Sequence, residues 1–256
     1  MSTFDRAAKG AALAALAGAL GACSGTRVAQ GECQEVYGAE VCTFAELAGG
    51  EITAVGVSFP LQSARDAPDR LHLVWPPEPV AILALPEGVA ERTGFTHFEL
   101  NWEHEGHQPA AFQEPHFDFH FYTVASEQLE GIHCDDATKP AELPPGYVLP
   151  DVVDPKRGEQ IGLCVPAMGM HAMPITELER SGPFTATMLL GYYGGHVVFV
   201  EPMVSRAELL RGRSFALDVP SLAEVTEGGP RPTRFVADFD EATETWRLKL
   251  TGFVER

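Results

Sequence analysis

Positive charge is scarce in this chain: among 256 residues there are 18 Lys and Arg against 36 Asp and Glu, a formal net charge of −18. So acidic a surface repels phosphate backbones, which excludes nucleic acid as a partner, and it disfavours docking on anionic lipid. Several motifs are also missing. There is no G-x-S-x-G, so a serine hydrolase with a nucleophile elbow is excluded. No Rossmann or P-loop glycine pattern occurs, which removes dinucleotide and nucleotide binding. Cysteines are few, five in all, and no CxxC pair occurs, so a four-cysteine zinc site is disfavoured. Beyond Ala22 no run is long and apolar enough to cross a bilayer as a helix.

What the first residues do contain is a leader pattern. Arg6 and Lys9 precede an Ala/Leu-rich run from Ala11 to Ala22, which together read as a secretory signal over residues 1–22. Its end, Leu20-Gly21-Ala22-Cys23, resembles the lipobox of bacterial lipoproteins, which implies cleavage before Cys23 and acylation of that residue. The expected location is the cell envelope, lipid-anchored and extracytoplasmic or periplasmic, with the membrane reached through the acyl chains only. In an oxidising compartment the remaining Cys33, Cys42, Cys134 and Cys164 favour disulfides. Pairing Cys33 with Cys42 and Cys134 with Cys164 closes the shorter loops; the two crossed connectivities stay open.

Residues 24–50 are small and polar and read as a tether, stapled by Cys33 and Cys42, leading into a single β-rich domain over 51–256. From Glu51 onward, short β-type runs are broken by Pro and Gly. The clearest hairpin has Phe184–Leu190 and His196–Glu201 flanking Tyr192-Tyr193-Gly194-Gly195. Short helices are expected within 125–131 and 204–211. Residues 132–160, rich in Pro, Asp and Glu, read either as a lid over the site or as a plain surface excursion. The fold class is all-β: an antiparallel sandwich or barrel-like domain with one or two short helices.

One stretch carries the chemistry. His104 to Tyr122 reads HEGHQPAAFQEPHFDFHFY and holds four of the nine histidines. On an extended strand His116, Asp118, His120 and Tyr122 face one side while Phe117, Phe119 and Phe121 face the other. Positions two apart lie roughly 6.6 Å from each other, but His116 and His120 are separated by roughly 13 Å, near the limit of what one ion can bridge. Either Asp118 joins one histidine on the metal, or a bulge shortens the strand, or the second histidine supports from behind. Further ligands must come from His104 or His107 before the strand, His171 after the Met168-Gly169-Met170 turn, and Glu201 beside Pro202. Imidazole with carboxylate suits a transition metal ion, zinc first, with iron or manganese as alternatives, rather than calcium or magnesium. His72, His97 and His133 read as surface or packed histidines, and His196 as a solvated hairpin residue.

The segments GHQP, PHFDFHFY, GMHAMP and FTATMLLGYYGGHVVFVEPMVS give the chain a resemblance to a family of uncharacterised bacterial extracytoplasmic proteins, typified by a sigma-E-regulated homo-oligomeric protein of Thermus thermophilus. The resemblance covers roughly residues 50 to 215. It implies a mostly β fold and ring-like homo-oligomers. Its motif residues fall here on His107, His116, Asp118, His120, His171, Glu201 and Pro202, and leave out His104 and His196. It carries no enzymatic activity with it. The expected function is therefore a metal-binding envelope lipoprotein. The alternatives are a cupin-like or hydrolase-like metalloenzyme using His116, His120 and His171, and an assembly protein with a hydrogen-bonded histidine face.

Overall fold

Alternating apolar residues on short runs give each strand one face to bury, and two sheets stacked face to face satisfy that need. A computed structural model describes residues 25–71, 78–150, 152–153, 160–162, 164–220 and 229–255, with 152–153 and 160–162 described by backbone alone. The leader 1–22, Cys23 and His72 lie outside the described residues.

The first sheet has six strands in the order β1 (Arg27–Val36), β2 (Ala39–Ala48), β3 (Glu51–Pro60), β16 (Thr245–Thr251), β15 (Arg234–Asp240) and β14 (Phe215–Asp218). The second runs β10 (Cys164–Val165), β11 (Gly169–Pro174), β12 (Ala186–Tyr193), β13 (His196–Ser205), β6 (His116–Tyr122), β5 (His97–Glu103) and β4 (Ala81–Ala84), with β7 (Tyr147–Val148) paired to β11. A small pair, β8 (Val152–Val153) with β9 (Gln160–Gly162), completes the strands described. All these pairings are antiparallel, and the all-β sandwich expected from the sequence is what forms.

Phe117 and Phe119 of β6 point between the sheets, where Phe59 of β3 meets them edge-on at 5.1 and 5.5 Å. Such pairs add about 0.5–1.5 kcal/mol each beyond the area they bury. The apolar face of the motif strand thus anchors it in the core, and its polar face is forced to the outer side of the second sheet.

Three expectations need correction. Residues 27–48 are not an irregular tether: β1 and β2 form a hairpin at the edge of the first sheet, and Cys33 and Cys42 are directly opposed partners in it. Small and polar side chains suit β1, the exposed edge strand, so that part of the run lacks an amphipathic signature although it pairs with β2, with one irregularity between Gln30 and Cys33. The second disulfide joins Cys134 to Cys164. There are also more helices than one or two. Besides α3 (Ser126–Leu129) and α5 (Arg206–Leu210), the chain makes α1 (Leu61–Asp66), α2 (Val89–Thr93) and α4 (Ile175–Leu178). Each spans 4 to 6 residues at a strand junction, too short for a 3.6-residue period to register. Finally, β13 does not end at Glu201 but continues through Pro202 to Ser205. Pro202 has no N–H to offer, and the ladder with β6 is interrupted there, between Val200↔Phe121 and Met203↔Asp118.

Candidate metal centre

On the outer face of the second sheet, antiparallel register builds polar rows across the strands. Glu103 lies opposite His116, and His116 opposite Ser205; Asn101 lies opposite Asp118, and Asp118 opposite Met203. Glu99 lies opposite His120, which the surrounding register brings alongside Glu201. His97 pairs with Tyr122, Tyr122 with Phe199, Phe199 with Gly191 and Gly191 with His171. No bulge interrupts β6 against β5. The strand distance between His116 and His120 therefore stands, and the six expected ligands divide into two sets.

The first set is His107, His116 and Asp118; the second is His120, His171 and Glu201. In each, the ligand atoms lie within 4.8 Å of one another. His116 Nε2 is 3.2 Å from Asp118 Oδ1, and His107 Nε2 is 3.9 Å from Asp118 Oδ2. His120 Nε2 is 3.6 Å from Glu201 Oε1, and His171 Nε2 is 3.9 Å from Glu201 Oε2. The cupin-type trio of His116, His120 and His171 is not brought together, because His116 belongs to a different set from the other two.

Local structure explains each placement. His107 starts a tight loop closed by its N–H donating to the carbonyl of Phe112 at 3.2 Å. Gly106 makes that turn possible: its φ is +67°, and a Cβ there would sit 2.1 Å from the Phe112 carbonyl oxygen. Gly191 does comparable work for the second set. It lies between His171 and Phe199 in the register, and a Cβ on it would come within 2.1 Å of the Phe199 ring. That ring packs against both His120, at 4.8 Å, and His171, at 5.1 Å. An apolar cluster of Phe112, Met173, Phe184, Leu189 and Met203 closes the face around the first set, with Val148 of β7 packed on it. This is the contact that the 132–160 excursion makes with the site face. The Phe184 ring lies 5.6 Å from His116.

Hydrogen bonds fix the imidazole tautomers in the first set. His116 Nδ1 lies 2.6 Å from the Glu114 carbonyl oxygen and His107 Nδ1 lies 2.8 Å from that of Gln108. A carbonyl oxygen only accepts, so both Nδ1 atoms carry hydrogen and donate. Neutral rings then turn a lone pair at Nε2 toward Asp118, acceptor against acceptor. A cation between them resolves the conflict, and in its absence a proton does. Burial disfavours the charged form of His116, but the Asp118 carboxylate overrides it and raises the pKa. Asp118 is correspondingly held below its usual range: burial would lift it, and His116 outweighs that.

The other groups titrate differently. Burial and then the charge on His116 push His107 down to about 4. Burial and then His120 push His171 down to about 3. Burial likewise lowers His120 against the pull of Asp118 and Glu99. Glu201 is raised well above the ordinary carboxyl value by burial, then by Asp118 and Glu103. Glu103 rises to about 7 through burial and Asp118.

Orphaned polar atoms concentrate here. Among the described residues, the buried side-chain nitrogens and oxygens without a hydrogen-bond partner are those of Asn101, His116, Asp118, His120, Tyr122, His171 and Glu201, plus the Trp246 indole elsewhere. Leaving one such atom unpaired costs about 1–3 kcal/mol. Cations in the two clusters would take up the free lone pairs of His116, Asp118, His120 and Glu201, so the residues present fit a metal.

The expected histidines outside the two sets are placed as follows. His104 is buried, with Glu105 its nearest acid at 3.9 Å, and joins neither set; His133 and His196 are exposed. His97 is packed, one of the two places expected for it. It is buried on the site face, stacked on Tyr122 at 4.7 Å and 3.3 Å from Glu99. It does have in-phase partners: His97-Phe98-Glu99-Leu100-Asn101-Trp102-Glu103 alternates polar and apolar as strictly as β6 does. That alternation was the available signal for Glu99, Asn101 and Glu103.

No protein-family model, no curated protein and no solved structure matches this chain. The disulfides accord with an oxidising compartment, and among the described residues no helix is long and apolar enough to cross a membrane.

Proposed function

We propose that this chain is a metal-binding protein of the cell envelope, holding a transition metal on the outer face of its second sheet. The observation that carries the reading is the Nε2-to-carboxylate confrontation at Asp118, with both Nδ1 atoms already committed to backbone carbonyls. Metal-bound histidines are held in this way, the remote nitrogen donating to an oxygen. Two imidazoles and a carboxylate suit zinc first, with iron or manganese next. A bound ion would supply positive charge to buried carboxylates and Lewis acidity toward any ligand in its open positions.

The metalloenzyme reading is second. It is favoured by having three protein ligands in each set, which leaves positions for water or substrate. A purely hydrogen-bonded histidine face is opposed by the orphaned atoms that such a network would satisfy. The lipobox-like Leu20-Gly21-Ala22-Cys23 supports tethering through Cys23, and the family resemblance supports a homo-oligomer.

The test is elemental analysis of the full chain purified without chelator, expected to show stoichiometric transition metal. Its absence, with none taken up on adding zinc, would overturn the proposal.

A further inference from the structure

Resting on that metal reading, we infer that this face binds two ions in separate three-ligand subsites, His107/His116/Asp118 and His120/His171/Glu201. Spacing is the first reason. Ligand atoms around a tetrahedral ion with bonds of about 2.0–2.1 Å lie roughly 3.3 Å apart. The imidazole-to-carboxylate contacts within the sets, 3.2 to 3.9 Å, need at most a few tenths of an ångström of closure on each side, and all three ligand atoms of each set lie within 4.8 Å of one another. Among the described residues no carboxylate of one set pairs with an imidazole of the other within 4 Å. His116 and His120 stand four positions apart on an unbulged strand, roughly 13 Å from each other. An ion held by the His116 imidazole therefore does not reach that of His120.

Charge is the second reason. Asp118, Glu201, Glu99 and Glu103 share this face, and among the described residues no Lys or Arg pairs with any of them. Each subsite contains one of these carboxylates, Asp118 or Glu201, so each offers a ligand whose charge a cation would neutralise.

The subsites are also built differently, which ranks them. In the first, both histidines already donate Nδ1–H to backbone carbonyls, so their rings are oriented before an ion arrives. In the second, neither nitrogen of His120 has a partner. Supporting hydrogen bonds of this kind are worth about 10–100-fold in metal affinity. The first subsite therefore binds about 10–100-fold more tightly.

The experiment is a zinc titration of the chelator-stripped full chain, counting ions per chain by native mass spectrometry. The expected count is two, in two phases. His107→Ala should abolish the tighter phase and His171→Ala the weaker, each keeping one ion. These are the outermost ligands, with side chains 35 % and 15 % exposed, so their removal disturbs the core least. A wild-type count of one overturns the inference and leaves the metal reading standing, whatever the variants do. A count of zero strikes the metal reading and this inference together. Two ions with the phases reversed between the variants would refute the ranking.

Discussion

Both sheets carry carboxylates on their outer faces, half-buried in the first and buried in the second, and they treat them in opposite ways. On the first sheet, Glu46 of β2 meets Arg247 at 3.1 Å and Lys249 at 3.0 Å, and the Arg247 guanidinium lies over the Phe44 ring at 3.9 Å. Burial would raise Glu46, but Lys249 and Arg247 outweigh it and hold it below the ordinary value. On the second sheet, Glu201 has only two imidazoles beside it and is raised well above that value. One carboxylate has cations supplied by its own chain. The other is surrounded by groups that ligate but carry no permanent charge. The first arrangement is self-sufficient; the second is completed from outside.

The largest effect that can break this comparison comes from removing the charge on each carboxylate. Glu201→Gln should cost the second subsite at least ~100-fold in zinc affinity, beyond what loss of a supporting hydrogen bond costs. It should not lower the stability of the metal-free protein at neutral pH, because burial holds the Glu201 carboxyl against ionisation there and Gln carries no charge to bury. Glu46→Gln should leave zinc binding alone and cost about 1 kcal/mol, the scale of partly exposed ion pairs, read from urea unfolding. If both variants lost stability and neither lost zinc, the distinction between the faces would collapse.

Zinc should next raise the melting temperature of the stripped protein, by calorimetry. At a hundred times the dissociation constant, one ion contributes about 2.7 kcal/mol, or roughly 5–10 °C for a chain of this size. Glu46→Gln should show the same increment.

Zinc uptake at pH 7 should also release protons, because the metal displaces those on Glu201 and His116, whose pKa values are raised. Calorimetric titrations in buffers of different ionisation enthalpy would count them; a buffer-independent heat would contradict the assignment.

The smallest effect is on the pH dependence of the metal-free protein. His171 has a folded pKa of about 3, depressed below its unfolded value, so the unfolded chain binds its proton first. Its contribution is present at neutral pH and lost as pH falls from the ordinary imidazole range toward 3. Glu201 is raised, so its contribution is present in acid and lost as pH climbs above the ordinary carboxyl value. Glu46 is lowered, so it stabilises at neutral pH and that contribution is lost only in acid. Urea midpoints against pH should therefore show a shallower acid limb in His171→Ala and a shallower alkaline limb in Glu201→Gln.

Much of this was legible in the residues. The alternation in HFDFHFY placed Phe117, Phe119 and Phe121 in the core and His116, Asp118 and His120 on the other face, as found. The Gly194-Gly195 turn was also readable: both residues have positive φ and join β12 to β13 with Tyr193 opposite His196. HFELNWE carried the same signal as β6, but with one histidine in it the polar row is conspicuous only beside its neighbour. β1 was hidden because an edge strand buries too little to need an apolar pattern, whereas its partner β2 buries Val41, Phe44 and Ala45.

Sequence alone thus determined the polar and apolar faces of β6, because side-chain direction in a strand depends only on position parity. It also determined that His116 and His120 stand too far apart to share an ion without a bulge, because the rise per residue is nearly constant. Which partners each takes was decided by tertiary structure. The register of β13 against β6 brought Glu201 to His120, the reach of His171 past Gly191 added the third ligand, and the turn at Gly106 delivered His107 to Asp118. Two of those contacts join residues dozens of positions apart, and pairing register between strands is set by the packed whole rather than by any one strand.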